Sequence, residues 1–468
     1  MKQIKDIKIE NLQDNLIYPI YKDQFIDPQI SKQLNCNLDN LVNKNYQEVT
    51  VIHTLEKYNF KTITFIGLGS SNQIDATKIK AIATLIKLDA TSNIYLEHLA
   101  TNSLDIHTIT RILVQEYLVN NYQECKIGHR IKEIPELNIL YSQEDLQTEI
   151  ETATAFGNGI NYARKISDLP SNLMTPDDLV DEALKLSKEY PQLECTIINK
   201  SNLEKMQAGG ILAVNQGSHI PAYMICLEYN NDDGPYTAVI GKGITFDSGG
   251  YNIKGNSYGM KYDMCGAGDV LGIMKILAAT NAKANVYGII PTTENLINGS
   301  AYKPQDVITT LSKKTVEIVS TDAEGRLILA DAITYSQRLG ATKIIDLATL
   351  TGACIAALGD LYTGVFSNDD DFYQEFVKAM EYSNEKGWRL PIAKEYFDKL
   401  KSNSADFKNS VGKPGAGASI AANFLEAFVE KGTKWIHLDI AGTADKDGTG
   451  ATGAMISSVV NFISYFNK

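Results

Sequence analysis

From residue 176 onward, short apolar runs alternate with helix-length amphipathic stretches, and this alternation constrains the fold more than any other property of the chain. The apolar runs fall at 238–241, 284–290, 316–320, 343–347 and 435–440, and the helical patterns near 269–279, 327–338, 420–429 and 455–466. Strand, helix and strand in succession build parallel crossovers, so the pattern predicts a mostly parallel central sheet with helices on both faces. Glycine concentrates between 240 and 270, where backbone is expected to approach another group closely.

Residues 1–150 differ in character, being rich in Asn, Lys, Ile and Leu. A strand signal at 62–66 runs into Gly67-Leu68-Gly69 and is followed by a helical stretch at 76–88. The expectation is a smaller N-terminal α/β domain. Residues 151–175 read as a connecting helix and linker, with an alanine-rich stretch over 149–165. Thr175 is expected to cap the next helix, with Pro176 at its first position and Asp177 and Asp178 in its first turn. Residues 176–468 are expected to form the larger catalytic domain. The predicted fold class is therefore α/β, in two domains, the larger built on a central mostly parallel sheet.

Composition removes several function classes. A chain of 468 residues exceeds one ordinary core. Its net charge of -12 offers no basic face for nucleic acid. No apolar run approaches the ~18–20 residues of a membrane span. The start, Met1-Lys2-Gln3-Ile4-Lys5-Asp6, has no apolar signal core, so the expected compartment is the cytoplasm. Cys36, Cys125, Cys195, Cys226, Cys265 and Cys354 form no C-x-x-C pair and read as reduced, mostly buried thiols.

Two motif matches fail on inspection. Gly67-Leu68-Gly69 follows a strand, but Asn72 stands where a dinucleotide fingerprint has its third glycine. Gly255-Asn256-Ser257-Tyr258-Gly259 has the spacing of a serine-hydrolase elbow, yet the segment before it is too short and interrupted for the required strand. The histidines, His53, His98, His107, His129, His219 and His437, are isolated, without an H-x-x-H or H-E-x-x-H pair. Any metal site must draw on oxygen ligands.

Those ligands are present. Lys242, Asp247 and Lys254 flank a glycine-rich segment; Asp263 follows in Met260-Lys261-Tyr262-Asp263-Met264; Asp322, Glu324 and Arg326 lie between a strand signal and a helix. A lone Asp in a loop is commonly a cap, and Asp322 taken alone reads as one. Four carboxylates at strand ends, where open α/β sheets bind ligands, read differently together. They repel unless cations compensate, and two divalent ions ~3.5–4 Å apart do so. Such a pair acidifies a bridging water to hydroxide near neutral pH, and a nearby lysine or arginine stabilises the oxyanion that forms.

At these residues the chain resembles the leucine aminopeptidase (cytosol aminopeptidase) family. Ser320-Thr321-Asp322-Ala323-Glu324-Gly325-Arg326-Leu327 is nearly the family signature, with Ser320 where Asn is usual. Asn172-Leu173-Met174-Thr175-Pro176, the segment Gly241 to Gly250, Ala348-Thr349-Leu350-Thr351-Gly352-Ala353 and the segment His437 to Thr443 also match, so the resemblance spans 165–468. It implies one metal ion on Lys242, Asp247, Asp263 and Glu324, and a second on Asp247, Asp322 and Glu324, with manganese or zinc as the metal. Lys242 would then act as a neutral amine. By the same resemblance Lys254 stabilises the tetrahedral intermediate, and Arg326, near the backbone of Leu350, anchors a bicarbonate that serves as general base. Met260, Thr349 and Gly352 correspond to the pocket for the first residue, which favours Leu or Met. The implied substrates are peptides with a free N-terminus, and the implied assembly is a homohexamer. The segment between Lys254 and Asp263 is shorter than the commonest family pattern. A dinuclear phosphoesterase is disfavoured because no phosphate cradle accompanies the carboxylates, and an inactive binding protein because none of these side chains is lost.

Overall fold

The computed structural model describes the chain apart from residues 124–126, 130–132, 413–414, 448 and 467–468. Cys125 lies outside the described residues; Cys36, Cys195, Cys226, Cys265 and Cys354 are free thiols. The architecture is mixed α/β, and the chain divides into two compact units, Met1–Asn158 and Gly159–Lys468. The dividing point falls inside the helix Gln147–Asp168. Among the described residues no helix is long and apolar enough to cross a membrane.

The first unit holds a six-stranded sheet in the order Gln3–Ile4, Leu137–Leu140, Ser92–Tyr95, Asn15–Ile20, Thr62–Gly67, Val49–His53. Every pairing is parallel except that of Val49–His53 with Thr62–Gly67. Successive residues face opposite sides of a sheet. Leu16 and Tyr18 accordingly join one core cluster and Ile17 the other. The expected helix over 76–88 is shorter, Ala76–Ala83, and Asp75 caps its start.

The second unit carries the predicted central sheet. Its order is Gly387–Arg389, Thr363–Ser367, Lys434–Asp439, Lys343–Ala348, Thr237–Gly241, Asn285–Asn295, Tyr223–Asn230, Leu193–Ile198. The four middle strands, from Lys434–Asp439 to Asn285–Asn295, run parallel, and antiparallel pairings flank them on both sides. Helix Gly325–Arg338 covers the face bearing Ala238 and Ile240. Helix Cys265–Ala279 covers the other face, where a Cβ on Gly288 would meet Met274 and Val270. The strand expected at 316–320 is instead Thr315–Glu317. It belongs to a separate three-stranded sheet with Val307–Thr309 and Phe407–Lys408, because its partners come from those distant segments. Thr175 caps the helix Pro176–Glu189 in a reciprocal arrangement with Asp178. The G-x-S-x-G segment has no strand before it and only the 3-10 turn Met260–Met264 after it, so it is no nucleophile elbow.

Several of the glycines between 240 and 270 allow the expected close approach, while Gly255 and Gly259 face open space. A Cβ on Gly241 would lie 2.1 Å from the Gly266 oxygen, and one on Gly266 would lie 2.2 Å from the Leu347 oxygen. This close approach seats the start of helix Cys265–Ala279 on the carboxyl ends of the parallel strands.

Candidate metal centre

Lys242 occupies the single residue between the strands Thr237–Gly241 and Gly243–Asp247, at the carboxyl edge of the sheet. Leu347 pairs with Gly241 across the sheet, so Thr349 leaves the neighbouring strand at the same level. The Lys242 ammonium, only 2% exposed, stands 2.8 Å from Asp263 Oδ1 and 2.9 Å from Glu324 Oε1. It also donates to the Thr349 oxygen at 2.9 Å. Gly325 makes room for it, since a Cβ there would meet Lys242 Cε at 2.6 Å.

Lys254 is the second cation. Its Nζ lies 2.7 Å from Asp247 Oδ2 and 2.5 Å from Asp322 Oδ1. Two loops are tied together to hold it there. The Thr321 hydroxyl donates to the Gly249 oxygen at 2.6 Å, and the Asn252 amide donates to the Thr321 hydroxyl at 2.8 Å. Gly249 turns this corner with φ +85°, in the left-handed region that favours glycine. Asp322 does not cap the helix: Glu324 occupies that position, with no capping hydrogen bond from its side chain.

The two lysines thus interleave with four carboxylates. Asp247, Asp263 and Glu324 are buried and offer oxygens within 4.8 Å of one another. Burial and the charge of Glu324 push Asp247 up to about 6, against the pull of Lys254 and Lys242. Burial also raises Asp263 well above the usual carboxylate range, and Asp322 above its own. Glu324 moves the other way, because Lys242 and Lys254 outweigh its burial. Burial works against both ammoniums, but the surrounding carboxylates raise their pKa values above the ordinary lysine value. Two positive charges face four carboxylates, and Asp263 Oδ2 and Glu324 Oε2 are buried without a hydrogen-bond partner. An oxygen-rich donor set with spare buried ligand atoms fits divalent cations.

A cavity of about 220 Å³ opens on this arrangement. All five residues expected to hold metal line it, as do Lys254, Met260, Thr349, Leu350 and Gly352. Arg326 does not; the residue is 7% exposed, and its guanidinium donates from Nη1 to the Asn409 oxygen at 2.6 Å and leaves Nε without a partner. Burial lowers its pKa to about 10, which leaves it a cation at neutral pH.

Asn295 and Asp439 lay outside the expected site residues, and Thr349 makes a contact beyond its expected pocket role. Asn295 donates from Nδ2 to Asp247 Oδ1 at 2.7 Å and to the Thr321 oxygen at 3.0 Å. The Thr349 hydroxyl donates to Asp263 Oδ1 at 2.8 Å. Asp439 accepts from the Leu350 amide at 3.2 Å and from the Thr351 hydroxyl at 2.7 Å, fixing the loop that carries Thr349 to Gly352. Asp439 lies in the segment His437 to Thr443, which was the one sequence signal for it. His437 is fully buried, with Nδ1 2.6 Å from Asp346 Oδ1.

Comparisons with known proteins point to one family. Residues 161–460 match the catalytic domain of the cytosol aminopeptidase family. A protein described as "Probable cytosol aminopeptidase" from Bacillus licheniformis is 38% identical over 469 residues, covering 95% of this chain and 93% of its own length. One of the same description from Alkaliphilus oremlandii is 35% identical, covering 100% of this chain and 98% of its own length. Among solved structures, the bottromycin maturation enzyme BotP in complex with Mn superposes with a TM-score of 0.87 at 26% identity, covering 98% of this chain and 100% of that one.

Proposed function

Because the chain belongs to the cytosol aminopeptidase family, metal-dependent enzymes that hydrolyse peptide bonds from the N-terminus, we propose that its cavity releases apolar first residues, Leu and Met foremost, from peptides. The observation that carries this reading is the pairing of Lys242 with Asp263 and Glu324, and of Lys254 with Asp247 and Asp322, inside one cavity. In this reading the catalytic domain spans 176–468, joined through 151–175 to an N-terminal domain over 1–150.

One divalent ion, manganese or zinc, is assigned to Lys242, Asp247, Asp263 and Glu324, and a second to Asp247, Asp322 and Glu324. A bicarbonate is assigned to Arg326 and the backbone of Leu350. When bound, the ions supply Lewis acidity toward the scissile carbonyl and the attacking water, and the bicarbonate supplies a proton acceptor. The remaining work falls to the chain. Asp263 receives the substrate's α-amine, which selects free N-termini. Lys254, whose side chain is 21% exposed, donates to the oxyanion as it develops. Met260, Thr349 and Gly352 line the pocket for the first side chain. Asp439 supports that pocket from behind through Leu350 and Thr351.

The test is release of p-nitroaniline from leucine p-nitroanilide by protein stripped with chelator and reloaded with Mn²⁺ or Zn²⁺, beside an N-acetylated control. Metal-dependent cleavage of the free-amine substrate alone supports the reading, and no cleavage with any metal by folded protein refutes it. A homohexamer in the cytoplasm completes the proposal; light scattering that returned a single subunit's mass would remove the assembly from it.

A further inference from the structure

The cavity contains one acid that the metal assignment does not use. Asp445 lines it together with Met260, Gly352, Ile355 and Ala441. It opens the short strand Asp445–Lys446, which pairs antiparallel with Gly450–Ala451, so its backbone is held by a ladder. It is not one of the three carboxylates whose oxygens converge. Lys242 and Lys254 make their ion pairs with other acids. Burial, Asp447 and Asp168 all disfavour its negative charge, and Lys261 opposes them. Lys261 also donates to the Asp168 oxygen at 2.6 Å and stands 4.7 Å from the Tyr262 ring centre. Asp445 therefore presents an acidic wall whose surroundings favour a cation beside it.

We infer that Asp445 is a specificity-determining residue that admits basic first side chains, lysine above all, alongside the apolar ones. The inference rests on the aminopeptidase reading and adds a substrate class to it. A lysine side chain is an apolar stem ending in a compact cation. Its stem matches Met260, Ile355 and Ala441, and its ammonium matches the Asp445 carboxylate. The same cavity of about 220 Å³ thus carries both the expected metal ligands and this additional acid. A neutral side chain of the same length forgoes that charge-assisted contact, which is the difference the two substrates would report.

Norleucine keeps the lysine stem and lacks the charge, which makes it the reference. The experiment compares kcat/KM for lysyl and norleucyl aminomethylcoumarin on the metal-loaded enzyme and on Asp445→Asn and Asp445→Glu. The expected result is lysyl hydrolysis at least as efficient as norleucyl. The lysyl-to-norleucyl ratio should fall by about tenfold in Asp445→Asn, the loss of one charge-assisted contact, and largely survive in Asp445→Glu. A native enzyme that cleaves the norleucyl substrate but disfavours the lysyl one by about tenfold or more overturns this inference and leaves the aminopeptidase reading standing. An unchanged ratio in Asp445→Asn overturns it equally. Failure to cleave either substrate removes both. The native ratio decides the matter even if a variant does not fold.

Discussion

Lys254→Ala separates binding of metal from turnover. In the native chain the ammonium is clamped 2.7 Å from Asp247 Oδ2 and 2.5 Å from Asp322 Oδ1, so the donor is preorganised and its loss is not repaired by a neighbour swinging in. Removing one preorganised oxyanion donor costs about 10²–10³ in kcat, or about 3–4 kcal/mol of transition-state stabilisation. The side chain is 21% exposed, and solvent screening places the expected loss toward the lower end, about 10². Metal affinity should move the other way or stay level, because the substitution removes a positive charge that pairs with two of the expected ligands. The assay is kcat on leucine p-nitroanilide at saturating Mn²⁺, with Mn²⁺ affinity measured in parallel by titration calorimetry. A kcat within about threefold of the native value refutes the role of Lys254. A loss of activity that tracks a loss of Mn²⁺ binding refutes it as well, since the lysine would then act by shaping the site.

Five other substitutions have defined outcomes. Asp322→Asn and Glu324→Gln should each abolish metal content, read by elemental analysis, together with turnover. Arg326→Ala should be the milder lesion and partly recover with added bicarbonate; an absence of any response counts against the anchor role. Gly266→Ala should destabilise the second unit by about 1–3 kcal/mol or more in a denaturant titration, because its Cβ would lie 2.2 Å from the Leu347 oxygen and 2.8 Å from the Lys242 nitrogen. His437 carries a pH signature. Burial lowers its pKa, but Asp346 outweighs burial and raises it above 6.5. The resulting stabilisation is complete below pH 6.5 and is lost as pH rises through the folded value. His437→Gln should flatten that decline in the unfolding midpoint, and an unaltered slope would show that another group is responsible.

Lys242 and Asp247 were legible because they sit beside glycines at the end of an apolar run of the central sheet, whereas Asp263 precedes a helix and Asp322 and Glu324 follow a strand of the separate three-stranded sheet. Strand-end loops of a parallel sheet converge on one edge whatever the details of packing. Other parts depended on partners that a linear reading does not supply. The run at 316–320 looks like its neighbours, yet as Thr315–Glu317 it pairs with Val307–Thr309 and Phe407–Lys408. Tyr223–Asn230 and Leu193–Ile198 lie outside the strand expectations: they add to the sheet by antiparallel pairing, which the alternation of strand and helix does not signal, although Leu193 to Ile197 does alternate apolar with polar residues. The extension of the expected strand at 284–290 to Asn295 is likewise a matter of pairing, since residues 292–295 are ordered by Gly243–Asp247. Asn295 and Asp439 act through hydrogen bonds across more than 40 residues of chain; nothing in the sequence marks Asn295, and the segment His437 to Thr443 marks Asp439 without its partners.

The strand Asn285–Asn295 pairs with Thr237–Gly241 along its first part and with Gly243–Asp247 along its last, with a register shift between Ile244 and Asp247. One continuous strand therefore works as a ruler for the step from Lys242 to Asp247. Insertion or deletion of a single residue within 285–295 would turn every later side chain to the opposite face and uncouple the lysine from the aspartate. The segment 255–259 has no such ladder. A change of length is thus accommodated in 255–259 and not in 285–295, and libraries that diversify substrate choice belong in 255–259.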